Sequence, residues 1–218
     1  MANPILVIGS KNYSSWSLRP WLAMAANGAA FDEVVIPLQK PDTARRIREH
    51  SPAGRVPVLK DGAIVIWESL AILEYLAEKH PDWHLWPADR AARAHARVVS
   101  NEMHAGFRGL REALPMNVRR RYFDFAIGAD ARPDIDRVQQ IWRDARNLYG
   151  RPAGADFLFG AFGAADAMYA PVVTRFLTYG VQLDPVTQAY CEAVIALPAM
   201  QAWTRDAAAE TEIAIYEK

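Results

Sequence analysis

The hydrophobic pattern at the start of the chain predicts a strand, a helix and a second strand. Residues 4–9 form a continuous apolar run with β-branched side chains, which is typical of a strand buried on both faces. Apolar positions recur at helical spacing over residues 18–25, and Asn27-Gly28 supplies a helix stop. Residues 31–38 form the next apolar run, with Pro37 near its end. The opening therefore predicts a β-α-β unit.

The following segment predicts a short helix, a hairpin and a closing helix. Residues 45–50 fit a short helix or an irregular turn. Two short strands over residues 56–60 and 64–67 are joined by Asp61-Gly62, a strong hairpin signal. A helix then runs to about Lys79. The predicted order is β-α-β-α-β-β-α, an α+β arrangement in which helices cover a mixed sheet.

The second half of the chain predicts helices alone. Two prolines and the lack of a regular period over residues 81–88 indicate a linker. Beyond it we expect a long helix from about Arg90 to Leu114, stopped by Pro115. Residues 165–177 are apolar on most sides and predict a helix at the centre of this part. The predicted domains are residues 1–80 and 89–218.

Composition excludes several classes of function. The 218 residues carry 25 basic and 25 acidic side chains, and this balance argues against nucleic acid as a partner. A single cysteine, Cys191, excludes an internal disulfide, and we expect it to be a buried small hydrophobe. The histidines lack the spacing of a metal site, so no metal is expected. The chain shows neither a membrane-spanning apolar stretch nor a signal peptide, which predicts a cytoplasmic protein.

The serines before the first helix are candidates for binding an anion. Because proline is best tolerated in a first turn, Pro20 predicts that this helix starts no earlier than about Ser17. Ser14 and Ser15 then precede its N-terminus, where free N–H groups and the helix dipole favour negative charge. The alternative is that these serines only cap the helix.

A serine hydroxyl at this position is sufficient to ionise a thiol. Lowering a thiol pKa from about 8.5 by about two units takes roughly 2.7 kcal/mol. One hydrogen bond to a charged group supplies about 1.5–3 kcal/mol, and a helix N-terminus adds about 0.3–1 kcal/mol. Neither a metal nor a general base is required for such a site. The helix argument alone does not separate Ser14 from Ser15.

Two later segments fit the binding of a peptide-like molecule. A cis bond between Val56 and Pro57 would turn the N–H and C=O of Val56 toward an extended peptide. Glu68 and Ser69 open the next helix, where they suit the ammonium and carboxylate of an amino-acid head group. The alternatives are an ordinary proline at a strand start and an ordinary capping pair.

These segments resemble the glutathione S-transferase family. The resemblance is carried by residues 13–20 (Tyr-Ser-Ser-Trp-Ser-Leu-Arg-Pro), 55–59 (Arg-Val-Pro-Val-Leu) and 67–76, and the start of the central helix near Asp166 extends it over essentially the whole chain. The Ser-Ser-x-Ser-x-Arg pattern is most similar to the zeta class, with some likeness to theta-type serine enzymes. A thioredoxin-like N-terminal domain, an all-α C-terminal domain and a homodimer are implied.

The resemblance also implies roles for individual residues. A serine, Ser14 by likeness to the zeta pattern or Ser15, activates the sulfur of glutathione, which is the co-substrate. The residue before the cis-proline pairs with the cysteinyl backbone, and the Glu-Ser pair holds the γ-glutamyl head. The predicted glutathione-binding residues are Arg55, Val56, Pro57, Glu68, Ser69 and Lys40. For the contact to the glycine carboxylate, Lys40, Arg45 and Arg55 are unranked candidates.

The chain departs from the family pattern at two notable positions. Trp16 stands where the zeta pattern has cysteine, which excludes a cysteine mechanism there and counts against maleylacetoacetate isomerase activity. Gly163 stands three residues before Asp166, where the family has Ser or Thr, so half of a capping box is missing. Asp166 can still accept from the N–H of Gly163.

The second substrate is expected between the two domains, above the sulfur. Helical spacing makes Phe107 a core position as readily as a pocket residue, and Arg108 and Arg111 fit a solvated face as well as contact with an acidic acceptor. The run Arg119–Arg121 is expected to be a solvated face. The candidate acceptor-binding residues are Tyr13, Trp16, Phe107, Arg108 and Arg111.

The predicted function is conjugation of the glutathione thiolate to a small electrophilic or apolar acceptor. Lowering of the sulfur pKa and proximity would supply the catalysis. One alternative is a zeta-type glutathione-dependent cis-trans isomerase. The other is a non-catalytic protein of the same fold that binds glutathione or apolar ligands.

Overall fold

The first part of the chain forms a four-stranded mixed sheet. The computed structural model describes residues 2–217. The strands are β1 (Ile5–Gly9), β2 (Asp32–Ile36), β3 (Val58–Asp61) and β4 (Ile64–Trp67). Their order in the sheet is β2-β1-β3-β4, with β1 parallel to β2 and antiparallel to β3.

Strand β1 lies between two apolar layers, as its continuous apolar run predicted. Leu6 and Ile8 join the main core, whereas Val7 packs with Ile47 in a smaller cluster on the other face. The period of two along a strand sends neighbouring side chains to opposite faces, so both layers draw on the same short run.

Three helices complete this part in the predicted order. They are α1 (Ser15–Ala26), α2 (Thr43–Arg48) and α3 (Ser69–Lys79). The predicted thioredoxin-like fold with its β-α-β-α-β-β-α order is therefore confirmed.

The predicted start of α1 near Ser17 was wrong. The helix begins at Ser15, and the Leu18 N–H already donates to the Ser14 carbonyl at 3.2 Å. Pro20 therefore lies in the second turn, where it is buried. The sequence argument weighed only the lost backbone hydrogen bond, whereas packing of this turn in the core keeps the helix intact.

The second part is helical, and α7 is its central element. Helix α7 packs on both α1 and α4, and Leu177 is the one residue within it that is not buried. The packing of α7 on α1 fixes the helical part against the sheet-containing part. The helices are α4 (Arg90–Ala105), α5 (Arg108–Ala113), α6 (Arg132–Ala145), α7 (Ala164–Thr178), α8 (Pro185–Ala196) and α9 (Pro198–Ala208).

The predicted long helix from Arg90 to Leu114 was wrong, because the chain breaks after Ala105. Phe107 has a left-handed backbone with φ of 62°, which ends the regular helical path. Helix α5 then packs closely on the turn that precedes α6: a Cβ on Gly109 would lie 2.3 Å from the Asp130 carbonyl oxygen. The apolar spacing is the same for one helix or two, so the pattern concealed this break.

The start of α7 shows why glycine stands where the family that the chain resembles has Ser or Thr. The Asp166 carboxylate accepts from the Gly163 N–H at 2.9 Å and from the Leu158 N–H at 3.1 Å, so the expected return bond is present. A Cβ on Gly163 would lie 2.8 Å from the carbonyl oxygen of Leu85, which leaves no room for a capping side chain.

Cys191 is fully buried, as predicted, and burial raises the pKa of its thiol to about 12.

Among the described residues, no helix combines the length and the apolar character that crossing a membrane requires.

Candidate functional site

The candidate site begins with the serines at the N-terminus of α1. Ser14 and Ser15 are each 7% exposed, and the Ser14 side chain makes no capping hydrogen bond to the helix. The Ser14 Oγ lies 2.7 Å from the Ser17 Oγ, and the latter accepts from the Gly9 N–H at 3.0 Å. The hydroxyls therefore form a small polar cluster between strand β1 and helix α1, and capping does not explain Ser14.

Two adjoining cavities open beside this cluster and share Trp16, Arg55 and Val56. The first has a volume of about 380 Å³ and contains Glu68 and Ser69 in its wall. The second has a volume of about 390 Å³ and extends toward the helical part. We call them the head cavity and the acceptor cavity. Further lining residues of the acceptor cavity are Tyr13, Ser14, Ser15, Arg111, Arg175 and Tyr216.

The head cavity brings the Val-Pro turn and the Glu-Ser pair together, as the sequence predicted. The Val56-Pro57 peptide bond is cis. Glu68 precedes α3 with a left-handed φ of 69°, and its side chain makes no capping bond to that helix. Ser69 is buried, and its Oγ accepts from the Arg19 Nη1 at 3.4 Å. A half-exposed carboxylate and a hydroxyl beside a guanidinium are thus available to an amino-acid head group.

His104 of α4 closes the far side of the head cavity. Its Nε2 lies 3.7 Å from the Glu68 Oε2. Burial and the nearby Arg19 lower the pKa of His104 below its usual value, and the pull of Glu68 in the opposite direction is weaker. The imidazole is therefore neutral at neutral pH, which leaves the Glu68 carboxylate as the charged group on this wall.

Three arginines converge beneath the serines, and sequence reasoning proposed only Arg111 as a site residue, although Arg19 is the arginine of the Ser-Ser-x-Ser-x-Arg pattern. Arg19 is fully buried and Arg175 is 5% exposed. The guanidinium groups of Arg19 and Arg111 both contact the Trp16 ring, at 4.2 and 4.7 Å from its centroid. Within residues 2–217, none of the three makes an ion pair with a carboxylate. Burial lowers the pKa of each one, and Arg111 adds repulsion on the other two.

The signal that could have revealed Arg19 and Arg175 is their position within apolar helical patterns. Arg19 lies among Leu18, Trp21 and Leu22, and Arg175 lies in the helix that was expected at the centre. An arginine in a buried helix is rare unless a carboxylate pairs with it or a ligand uses it.

The C-terminal segment forms another wall that sequence reasoning missed. We define this segment as residues 209–217. The Glu210 carboxylate accepts from the backbone N–H groups of Lys11 and Asn12 at 2.6 and 2.9 Å, and Tyr216 lines the acceptor cavity. The segment thus holds the loop that leads into the two serines.

The basic run at residues 119–121 is a solvated face only in part, because Arg120 and Arg121 are exposed, as expected, whereas Arg119 is not. Arg119 has a side chain only 17% exposed and donates to the Tyr13 hydroxyl at 2.9 Å. Arg120 pairs with Glu212 and Glu217 at 2.6 and 2.8 Å. The run therefore anchors the C-terminal segment, which its local sequence did not indicate.

Several predicted site residues lie elsewhere. Arg108 is exposed on α5, where its side chain pairs with Glu112 at 2.7 Å, so the structure does not bring it to the site. Phe107 is buried in the core, in agreement with the alternative of a core position. Lys40 lines a separate cavity beside the C-terminal segment. Across residues 2–217, no cluster of three or more His, Cys, Asp or Glu side chains could hold a metal ion.

The comparisons with known proteins agree with this arrangement. Residues 13–79 match the family model described as the glutathione S-transferase N-terminal domain. The chain is similar to a probable maleylacetoacetate isomerase of Caenorhabditis elegans, with 36% identity over 49% of each chain. It is also similar to a zeta-class glutathione S-transferase of Euphorbia esula, with 32% identity over 64% of this chain and 59% of the relative. The chain therefore spans about half the length of the first of these relatives.

A solved structure supports the fold over the whole chain. A Burkholderia glutathione transferase homologue with bound glutathione superposes with a TM-score of 0.72 and 24% identity. The match covers 96% of this chain and all of that one, so the arrangement of sheet and helices is shared.

Proposed function

We propose that this chain, which belongs to the glutathione S-transferase family, joins the sulfur of glutathione to a small electrophilic acceptor. The observation that carries this proposal is the alignment of three predicted elements along two adjoining cavities. The Glu-Ser pair, the cis Val-Pro turn and the serine cluster line adjoining cavities in that order. An extended tripeptide has the same order of groups: a charged head, a backbone and a thiol.

In the proposed binding mode, glutathione spans both cavities. Its γ-glutamyl ammonium pairs with the Glu68 carboxylate, and its head carboxylate binds at Ser69, where Arg19 adds positive charge. The backbone of Val56 pairs with the cysteinyl residue as a strand neighbour does. The sulfur then lies at Ser14 or Ser15.

The protein environment favours the ionised sulfur. A serine hydroxyl donates to the thiolate, and the N-terminus of α1 and the buried guanidinium groups add positive potential. A charge-assisted hydrogen bond supplies about 1.5–3 kcal/mol, comparable to the roughly 2.7 kcal/mol needed for a two-unit shift in pKa. The thiol proton leaves to solvent, and the thiolate attacks the electrophilic carbon of the acceptor.

Tyr13 is not the hydroxyl that we assign to the sulfur. Its hydroxyl donates to the Glu217 Oε1 at 2.7 Å and accepts from Arg119 and the Ile213 N–H. Burial and the hydrogen bond to Glu217 both raise the pKa of Tyr13. Because its hydrogen-bonding capacity is used within the protein, the role falls to a serine.

A second candidate is glutathione-dependent cis-trans isomerisation of an acidic substrate. Curated relatives named maleylacetoacetate isomerase favour it. The guanidinium groups of Arg111 and Arg175, which form no ion pair with a carboxylate of residues 2–217, suit an acid. Trp16 in place of the zeta cysteine counts against it. An assay with a cis-enediketone acid separates the two candidates, since the absence of turnover removes the isomerase.

We further propose a homodimer in the cytoplasm. The edge strand β4 exposes Ile64, Val65 and Trp67, each more than 40% accessible. An apolar edge of this kind is a liability in a monomer and is protected when a second copy covers it. Light scattering of the purified chain tests the dimer.

Steady-state kinetics with 1-chloro-2,4-dinitrobenzene test the catalytic proposal. The Ser14→Ala, Ser15→Ala double variant should still bind glutathione by calorimetry but lose about 10- to 100-fold in kcat/KM, the equivalent of one charge-assisted hydrogen bond. Ser100→Ala is the matched control and should change little. Ser100 is a buried serine of α4 outside both cavities, and its hydroxyl has no hydrogen-bond partner among the described residues. Binding of glutathione without any turnover by the parent chain would favour a non-catalytic carrier instead.

A further inference from the structure

The loop that joins β1 to α1 carries Ser14 as its last residue and leads directly into Ser15. We call residues 10–14 the serine loop. Inside it, the N–H groups of Tyr13 and Ser14 both donate to the Ser10 carbonyl oxygen, at 3.1 and 2.8 Å. The N–H groups of the two residues that follow Ser10 lie outside this turn. Both residues are buried, and buried backbone donors require an acceptor, which here comes from a distant part of the chain.

Glu210 of the C-terminal segment supplies that acceptor. One carboxylate oxygen accepts from the Lys11 N–H at 2.6 Å, and the other accepts from the Asn12 N–H at 2.9 Å. The Glu210 carbonyl oxygen accepts from the Arg119 guanidinium at 2.5 Å, so the acid is itself held at its backbone. A carboxylate that binds two neighbouring N–H groups forms short, charge-assisted hydrogen bonds and fixes the direction of both peptide units.

Side-chain contacts hold the serine loop in place independently of Glu210. The Lys11 ammonium pairs with carboxylates of β2 and α9 at 2.7 and 2.6 Å. The Asn12 side chain donates to the Asn117 amide oxygen at 2.9 Å. Because the loop is anchored at these points, loss of the Glu210 carboxylate would change the orientation of two peptide units rather than unfold the loop.

The orientation of these peptide units matters because Ser14 depends on the backbone for its position. Its hydroxyl makes no capping bond to α1 and lies 2.7 Å from the Ser17 hydroxyl. Asn12 and Lys11 precede it by two and three residues. Because a misplacement of about 1 Å in a catalytic site can cost on the order of 100-fold in rate, a small rotation of the loop is enough to weaken a hydrogen bond to sulfur.

The charge of Glu210 works in the opposite direction from its hydrogen bonds. A carboxylate repels a nearby thiolate and so raises the pKa of the thiol. If Glu210 acted only through its charge, removal of that charge would make bound glutathione more acidic. If Glu210 acts by holding the loop, its removal makes bound glutathione less acidic. The two roles therefore differ in the sign of the pKa change.

We propose that Glu210 is a positioning residue of the glutathione site. Its carboxylate, bound to the N–H groups of Lys11 and Asn12, sets the orientation of the serine hydroxyl that holds the sulfur. This inference rests on the proposed glutathione transfer and assigns a role in it to the C-terminal segment. Glu210 acts through the loop, and the serine remains the group that contacts the thiolate.

Titration of glutathione bound to Glu210→Ala tests this role. The pKa of the bound thiol should rise by about one unit relative to the parent chain, a tenfold loss of thiolate at low pH. At saturating glutathione and about pH 6, kcat/KM for 1-chloro-2,4-dinitrobenzene should fall about threefold or more, because the loss of thiolate exceeds its gain in nucleophilicity. Glutathione affinity at about pH 5.5, where the bound thiol is largely protonated, should change less than about twofold.

Two further variants separate the charge from the hydrogen bonds. Glu210→Gln keeps the length of the side chain and one oxygen acceptor but loses the charge, so the pKa of the bound thiol should lie between the values of the parent and Glu210→Ala. A rise above the parent value has the same sign in both, so Glu210→Gln serves if Glu210→Ala does not fold. Glu78→Ala removes an exposed carboxylate of α3 that lines neither cavity and should keep the parent pKa and kcat/KM.

Three results would overturn the inference. One is an unchanged pKa of the bound thiol in both Glu210 variants. Another is a lower pKa in both, which would show that only the charge of Glu210 reaches the sulfur. The third is a loss of glutathione affinity at low pH as large as the loss of thiolate, which would make Glu210 a general support of the site. In all three, a lowered thiol pKa in the parent chain would leave the proposed glutathione transfer standing, whereas a parent thiol that ionises as in buffer would remove both.

Discussion

The two cavities of the candidate site are built in different ways. The head cavity takes most of its polar groups from turns and helix starts within residues 55–69, close together in the chain. The acceptor cavity takes its distinguishing groups from α5, from α7 and from the C-terminal segment. In the proposed binding mode, recognition of a tripeptide backbone would use local geometry, whereas the charge and shape of the acceptor side depend on how distant elements pack.

The difference extends to electrostatics. In the head cavity, the Glu68 carboxylate lies within 4 Å of a histidine and near a buried arginine. In the acceptor cavity, Arg111 and Arg175 repel one another, and this repulsion adds to the burial that lowers the pKa of Arg175. One side can thus receive a zwitterionic head group, and the other retains positive charge for an anion.

The largest expected effect is on the free energy of unfolding, when the start of the helix that supports the acceptor cavity is disturbed. Asp166→Ala removes the acceptor for two buried N–H groups at the start of α7, the helix that carries Arg175. Leaving buried donors unsatisfied costs about 1–3 kcal/mol each, so we expect a loss of about 2–4 kcal/mol in the free energy of unfolding. Urea denaturation measures it. Asp156→Ala, an exposed neighbour, should change stability by less than about 0.5 kcal/mol.

Restoring the family's residue at the same helix start should also destabilise the protein. Gly163→Ser adds a capping hydroxyl but places a Cβ 2.8 Å from the Leu85 carbonyl oxygen. Because the clash is with backbone, we expect a net loss of about 1–3 kcal/mol despite the cap. A gain in the melting temperature of this variant would show that the steric explanation is wrong.

On the glutathione side, Arg19→Met should raise the KM for glutathione without lowering the stability of the fold. Replacing a buried unpaired charge by an apolar side chain of similar length is often neutral or stabilising. The same change removes positive charge beside Ser69, so we expect the KM for glutathione to rise about tenfold, equivalent to about 1.4 kcal/mol. Arg108→Met on the exposed face of α5 is the control. A large loss of stability with unchanged KM would make Arg19 structural.

The smallest expected effect is on the pH dependence of stability. Burial and Arg19 lower the pKa of His104 in the folded state. The unfolded chain then binds a proton at higher pH than the folded chain does, so stability is lost as the pH falls below about 6.5. His104→Gln should flatten this part of the profile, measured by urea denaturation between about pH 5 and about pH 7. The measured quantity is the difference in slope between the His104→Gln variant and the parent chain.

The head cavity could be predicted largely from the sequence because its signals are local. The Val56-Pro57 turn, the Asp61-Gly62 hairpin and the Glu68-Ser69 helix start each follow from the chemistry of neighbouring residues. The alternation of apolar runs also gave the correct order of strands and helices. A prediction from local rules failed at Pro20, in the second turn of α1, where packing in the core outweighed the loss of one backbone hydrogen bond.

The acceptor cavity could not be predicted in the same way. Tyr216 and Arg175 are far in sequence from the serines they accompany, and only the packing of α7 on α1 and the anchoring of the C-terminal segment bring them together. The basic run at residues 119–121 gave no sign that its partners were Glu212 and Glu217. Such pairs depend on tertiary contacts, which no local pattern encodes.

The most direct test of this account is an ultraviolet titration of glutathione bound to the parent chain, to Ser14→Ala and to Ser15→Ala. We expect the thiol of glutathione bound to the parent chain to ionise about two pKa units below the usual value of about 8.5. Most of this shift should disappear in the variant that lacks the donating hydroxyl. A bound thiol that ionises as it does in buffer, or a full shift retained when both serines are replaced, would contradict the account.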